Sequence, residues 1–229
     1  MNNLTNALYL NFIKDNRYEY IFDGLKNTLI ITFFATLLGI ILGLVIAMIK
    51  IAHDNTKKFT VLNHICNLYI TVIRGTPVVI QLMILFFCIF TSRNTNGVIV
   101  AIIGFGLNSG AYVAEIMRSG LQSIDKGQME AGRSLGFNYL ETMRYIIIPQ
   151  AFKVILPSLC NEFIVLIKET SVAGYVAVQD LTKAGDVIRS RTYDAWTPLL
   201  MVAGIYLFLT CIFSYFTGKL EKRLKQSER

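Results

Sequence analysis

Residues Glu130 to Pro149 read EAGRSLGFNYLETMRYIIIP, a polar run between two segments apolar enough to cross a bilayer. Its spacing is regular. Glu130-Ala131-Gly132 is followed after three residues by Gly136, and after nine more by Ile146-x-Ile148-Pro149. Asp125 stands where a side-chain oxygen can cap a short helix through Gln128, Glu130 and Arg133, because the first amides of a helix lack backbone partners. Gly136 is placed to end that helix, since glycine tolerates the left-handed conformation at a helix C-terminus. Tyr139 to Ile148 is amphipathic enough to lie at the membrane interface, and Pro149 suits the first turn of the next helix. An ordinary solvated loop would explain the polarity. It would not explain a capped helix carrying the small residues Ala131 and Gly132, which permit close docking of a partner.

Working outward, the chain has 229 residues, 54% hydrophobic and 16% charged, with a mean hydropathy of +0.52. A soluble domain of this size carries about a quarter charged residues. The composition therefore indicates an all-α, polytopic membrane protein built as one domain. The 22 Lys+Arg against 15 Asp+Glu do not make a nucleic-acid surface, because bases of membrane proteins gather in cytoplasmic loops for topological reasons. Cys66, Cys88, Cys160 and Cys211 each sit in an apolar stretch without a CxxC pair and read as small buried hydrophobes. His53 and His64 have no Cys or carboxylate at ligand spacing, so no metal site is expected. Met1 to Tyr20 is polar and amphipathic, without a signal-peptide pattern.

About 20 apolar residues cross the hydrocarbon core. Leu25 to Ile51 qualifies, and its Gly39 and Gly43 form a small-xxx-small pair that lets another helix approach. Phe59 to Phe90 is too long for one straight span and contains Arg74-Gly75-Thr76-Pro77. Gly97 to Ile124, Gln150 to Ile167 and Trp196 to Thr217 complete about five spans. With the Glu130 loop in the cytoplasm, its side also holds Lys50, Lys57, Lys58, Arg118, Lys126, Arg133, Arg144, Lys153 and the basic tail ending at Arg229. The other side holds Lys14, Arg17, Lys26, Arg93, Lys168, Lys183, Arg189 and Arg191. This bias predicts an outside N-terminus and a cytoplasmic C-terminus. Residues 1–24 are then external, 125–149 a cytoplasmic coupling loop, 168–195 an external cap or gate, and 218–229 a cytoplasmic tail.

The Glu130 to Pro149 pattern resembles the cytoplasmic EAA loop of binding-protein-dependent ABC permeases, with Gly132 in place of an alanine and Ile148 in place of a leucine. Tyr69-x4-Arg74-Gly75-Thr76-Pro77-x3-Gln81, and Asn161-Glu162-Phe163-Ile164 followed by Lys168-Glu169-Thr170-Ser171, are similar to the polar-amino-acid branch of that family. The resemblance runs from about Leu25 to Thr217. It implies the type I ABC importer permease fold in a bacterial inner membrane. It also implies an assembly of two permease subunits, identical or homologous, two P-loop ATPase subunits and an external solute-binding protein. Glu130, Ala131, Gly132 and Gly136 would couple to the ATPase. The chain has no GxxxxGK[ST], so ATP and its magnesium would be bound by that separate polypeptide, and no catalytic residue or cofactor is expected here.

Ionisable residues inside a span are functional candidates. Glu162 and Glu169 are seven apart and differ by about 20° around a helix. With Asn161 and Thr170 they form a polar stripe. For Glu169 the alternatives are solvation or pairing with Lys168 at the outer end; for Glu162, a buried pair with Arg74. The Arg74-Gly75-Thr76-Pro77 break falls fifteen residues into its segment, roughly 22 Å along a helix. A half-helix restarting at Val78 would aim amides and a positive dipole end inward, suited to an amino acid's α-carboxylate. Glu162 and Glu169 would then receive its amine or a cationic side chain, which favours arginine, lysine or histidine. If Arg74 neutralises Glu162, a neutral substrate such as glutamine or cystine follows instead. From another class, an ATP-independent secondary transporter or channel subunit would show internal repeats, and no half-to-half similarity is evident. An intramembrane enzyme would need a nucleophile-base or metal constellation that neither histidine supplies.

Overall fold

The computed structural model describes residues 2–226. Met1 and residues 227–229, including Arg229 of the expected tail, lie outside the described residues. Among those described, every regular element is a helix. A short α1 (Asn2–Leu8) leads through a π turn and a 3-10 turn into α2 (Tyr18–Thr56). Then come α3 (Thr60–Gly75), α4 (Val78–Ile84), α5 (Gly97–Gln122), α6 (Lys126–Ser134), α7 (Tyr139–Thr142), α8 (Ile148–Glu169), α9 (Leu181–Thr192) and α10 (Trp196–Gln226). Four helical stretches are long and apolar enough to span a membrane, and a fifth results if the bent pair Thr60–Gly75 and Val78–Ile89 counts as one. That agrees with the five expected spans. The bend between the two halves is 109°, located at Thr76 and Pro77, because proline lacks a backbone donor and disfavours helix before it.

The centre of the fold is the crossing of α2 and α5, and it is made of small residues. A Cβ on Gly39 would lie 2.8 Å from Ser109 Cβ, and one on Gly43 would lie 2.5 Å from Val113. From the other side, Gly106 lies under Leu38 and Gly110 under Leu42. Lipid gives apolar helices no hydrophobic reason to associate, so close backbone packing holds them. Half-helix α4 enters the same core: Leu82 is fully buried and fills the space where Gly104 has no side chain. Ile31, Ala35, Phe105, Leu166 and Val176 complete this cluster.

The expected external cap at 168–195 is packed, not loose. Leu181, Ala184 and Ile188 of α9 bury against Ile21 of α2 and Val202 of α10. Asn27 Nδ2 donates to the Gln179 carbonyl (2.9 Å), and the Leu181 amide donates to Thr28 Oγ1 (3.1 Å). Asp180 caps α9 by accepting from the Thr182 and Lys183 amides. It is fully buried, and that burial pushes its carboxyl above the usual aspartate range.

Helix α2 begins at Tyr18, and α10 continues as helix past Thr217 through Gln226, so both extend beyond the apolar stretches read as spans. One expectation needs correction: the cysteines are not uniformly buried, since Cys66 is buried, Cys160 half-buried, and Cys88 and Cys211 exposed. Helices facing lipid keep apolar side chains outward, and neighbouring residues alone do not distinguish that face from the core.

Candidate translocation and coupling sites

The broken helix is tied together by one side chain. Gln81 Nε2 donates to the carbonyls of Ile73 (2.7 Å) and Thr76 (3.1 Å) and to Thr76 Oγ1 (2.8 Å). Thr76 Oγ1 in turn donates to the Val72 carbonyl. The carbonyls of Val72, Ile73 and Thr76 at the break are thereby satisfied, as irregular backbone at membrane depth requires. Gln81 Oε1 accepts from Asn108 Nδ2 at 3.1 Å. Ser109, the next residue, donates Oγ to Glu162 Oε1 at 2.9 Å. Two hydrogen bonds and one peptide link therefore join the break to the carboxylate of α8.

Glu162 is 9% exposed. With Asn161 it lines a cavity of about 650 Å³, bounded also by Ile116, Lys153, Pro157, Ser158, Thr217 and Glu221. Among the described residues neither Glu162 nor Glu169 belongs to a salt bridge. The alternative pairing of Glu162 with Arg74 is thus overturned. Arg74 instead lies 3.7 Å from Glu115 and over the Tyr112 ring at 5.1 Å. Of the expected polar stripe, Asn161 is exposed, Glu169 half-buried at the end of α8, and Thr170 buried with its hydroxyl on the Ile167 carbonyl. Gly75 and Thr76 are exposed at the break.

Gln81, Asn108, Ser109 and Glu115 were not singled out as site residues from the sequence. The available signal was the polar pair Asn108-Ser109 inside an otherwise apolar helix. Tyr69, whose hydroxyl donates to the Leu107 carbonyl, adds a further brace between α3 and α5.

The coupling segment is built locally. Asp125 caps α6 by accepting from the Gly127 amide at 2.7 Å. Gly136 has φ of +89°, and its amide donates to the Arg133 carbonyl. Asn138 and Glu141 then form a reciprocal capping box at the start of α7, after which the chain passes through a π turn at Met143–Ile147 into α8 with Pro149 in its first turn. Glu130, Ala131, Arg133 and Gly136 are exposed. Gly132 is not: a Cβ there would lie 2.5 Å from Thr142 Cγ2. Its smallness serves the docking of α6 onto its own α7, while Glu130 and Ala131 face outward.

Comparison with known proteins agrees with this architecture. The family profile of the binding-protein-dependent transport system inner membrane component matches residues 22–226. The probable amino-acid ABC transporter permease protein YckA of Bacillus subtilis (strain 168) is 37% identical over 207 residues, covering 90% of this chain and 89% of the relative. The arginine transport system permease protein ArtQ of the same organism is 35% identical, covering 91% and 94%. The glutamine transport system permease protein GlnP of Escherichia coli (strain K12) is 37% identical, covering 89% and 92%. A crystal structure of an amino acid ABC transporter with histidines superposes with a TM-score of 0.83 at 39% identity, covering 90% of this chain and 94% of the other. The chain belongs to the inner membrane components of binding-protein-dependent transport systems, as an amino-acid ABC importer permease of the type I fold, a membrane subunit that is not itself catalytic.

Proposed function

We propose that this chain forms the translocation path of an ATP-driven importer whose preferred substrates are amino acids with a cationic side chain. The observation carrying this reading is the Glu162 carboxylate. It is buried, bonded to a neutral Ser109 hydroxyl, and opens on a cavity it shares with Asn161. A desolvated carboxylate without a basic partner is costly, and a cation entering the cavity offsets that cost. Glu169, one face-matched position along α8, would meet the same cation nearer the outer end. The break at Arg74-Gly75-Thr76 supplies the positive end suited to an α-carboxylate.

Family membership supports a separate ATPase and a binding protein as partners, and the rest of the reading is built around them. Glu130, Ala131 and Gly136, carried on α6 and its C-terminal turn, dock a separate P-loop ATPase that binds ATP and magnesium. A second permease subunit completes the path, two ATPase subunits drive it, and a solute-binding protein delivers the amino acid from outside. The N-terminus lies outside and the C-terminus in the cytoplasm of the bacterial inner membrane.

A glutamine importer is the second reading. It is favoured by the relative named as a glutamine permease, which is as similar as the others, and by a zwitterion's needing a single carboxylate. Uptake by the assembled complex decides between them. Losing a desolvated charge contact costs about 2–5 kcal/mol, roughly thirtyfold or more in affinity. Glu162→Gln is expected to weaken arginine uptake by that factor and to leave glutamine uptake within a few fold. A wild-type complex that imports only neutral or acidic amino acids overturns the cationic preference.

A further inference from the structure

Glu115 of α5 sits between two guanidiniums that hold it unequally. Arg118, one turn further along the same helix, forks onto it: Nε to Oε1 at 3.0 Å and Nη2 to Oε2 at 2.8 Å. Arg118 is itself held by Gln122 Oε1 at 2.7 Å. Arg74, the last base of α3 beside the break, reaches the same Oε2 only at 3.7 Å, too far for a hydrogen bond. Its orientation comes from Tyr112, whose ring lies 5.1 Å beneath it. The Arg74 side chain is 42% exposed, against 23% for Glu115. Lys50 and Asp54 of α2 line with Arg118, Asp125 and Lys126 the pocket next to α6. Bidentate pairing already satisfies Glu115 through Arg118, which leaves Arg74 the more loosely held of its two bases.

We propose that Glu115 is a positioning residue that parks the Arg74 guanidinium at the break and yields it to the α-carboxylate of the arriving amino acid. The proposal rests on the amino-acid permease reading above. Its physical basis is the asymmetry of the two pairs. When Arg74 turns to the substrate, Glu115 keeps both hydrogen bonds from Arg118, so no buried charge is orphaned. When the substrate leaves, Arg74 returns to a partner already oriented. A tight Arg74–Glu115 fork would instead hold the guanidinium away from the path.

The test measures binding of L-arginine or L-glutamine, whichever the wild-type complex imports, and of its α-amide, to the complete permease–ATPase complex without ATP. The ratio of acid to amide affinity isolates recognition of the carboxylate. Glu115→Gln removes the competitor and is expected to raise that ratio about threefold, the factor a partly exposed ion pair carries. Arg118→Gln frees Glu115 to grip Arg74 and is expected to lower it. The double variant Glu115→Gln with Arg118→Gln is expected to return to the Glu115→Gln value, and Arg74→Gln to lose most of the preference. Opposite signs for the two single variants separate this role from a structural one, which would weaken acid and amide alike. An unchanged ratio in Glu115→Gln, shifts of the same sign in both single variants, or a full preference retained by Arg74→Gln overturns the proposal. A wild-type complex that imports no amino acid overturns the underlying reading, and the proposal with it.

Discussion

The proposed coupling segment and the candidate translocation site are both polar islands in an apolar protein, yet they are assembled in opposite ways. From Asp125 to Asn138 the helix caps close within a few residues: Asp125 on Gly127, Gly136 on Arg133, Asn138 with Glu141. The translocation site draws Thr76 and Gln81 from the broken helix, Asn108 and Ser109 from α5, and Glu162 from α8, with partners 53 residues apart for Ser109 and Glu162. A local device transmits force as a rigid unit, because its geometry does not depend on how the spans are arranged. A site gathered from several helices changes whenever those helices move, which is what alternating exposure of a substrate requires. Substitutions in the first region should therefore uncouple the transporter, and substitutions in the second should alter what it carries.

The largest effect expected is at Gly136. Its φ of +89° is closed to proline, whose ring holds φ near −65°, and costs an L-residue about 1–2 kcal/mol. Gly136→Pro should abolish uptake while the protein remains inserted in the membrane, and Gly136→Ala should impair it partially. Uptake and ATPase co-purification measured together check this. Normal transport by Gly136→Pro would remove α6 from the coupling role.

In the translocation site, Ser109→Ala strips Glu162 of its hydrogen-bond donor. Bonds to charged groups contribute about 1.5–3 kcal/mol, roughly ten- to a hundredfold. The KM for import should change by a factor in that range, with ATPase association unaffected. A lost association instead would make Ser109 a general packing residue.

The two faces of α6 offer a sharper contrast. Gly132→Leu forces a side chain into Thr142, and overpacking of this kind costs about 1–3 kcal/mol, so the Tm of the purified complex should fall. Ala131→Leu faces outward; it should leave Tm within experimental error and weaken ATPase binding. Equal thermal effects at both positions would contradict the assignment of an inner and an outer face.

Much of this was legible in the sequence where the cause is local. Asp125 as a cap, Gly136 as a helix end and the restart at Val78 follow from side-chain chemistry within one or two turns, and the structure bears them out. The Gly39 and Gly43 pair did mark a close helix crossing. What sequence could not supply was partner choice. Charge alone offered Arg74 as one alternative partner for Glu162, whereas α5 places Ser109 against Glu162 and Glu115 against Arg74. Gly132 looked like a docking residue because smallness does not reveal which surface it faces.

The smallest effect concerns the start of α10. The Asp194 carboxylate accepts from Asn11 and from the Trp196 and Thr197 amides. Its hydrogen bonds, chiefly to Thr197, hold it below the usual aspartate range. A depressed folded-state value means that this contribution is fully present above the ordinary aspartate pKa of 3.8 and is lost as pH falls through the lower folded value. Emission of Trp196, the single tryptophan, should therefore change at acid pH in the wild type and not in Asp194→Asn. Identical titrations in both proteins would exclude Asp194 as the cause.

The central claim, that this chain couples an external binding protein to an internal ATPase, is tested most directly by ATP hydrolysis in proteoliposomes. The permease is reconstituted with its ATPase, and amino-acid-loaded binding protein is added on the external side. The account predicts that hydrolysis rises and the amino acid moves inward in the wild type. It also predicts that the rise persists in Glu162→Gln although arginine import is weakened, and that it disappears in Gly136→Pro. Hydrolysis indifferent to the binding protein, outward movement of the amino acid, or a wild-type response in Gly136→Pro would contradict it.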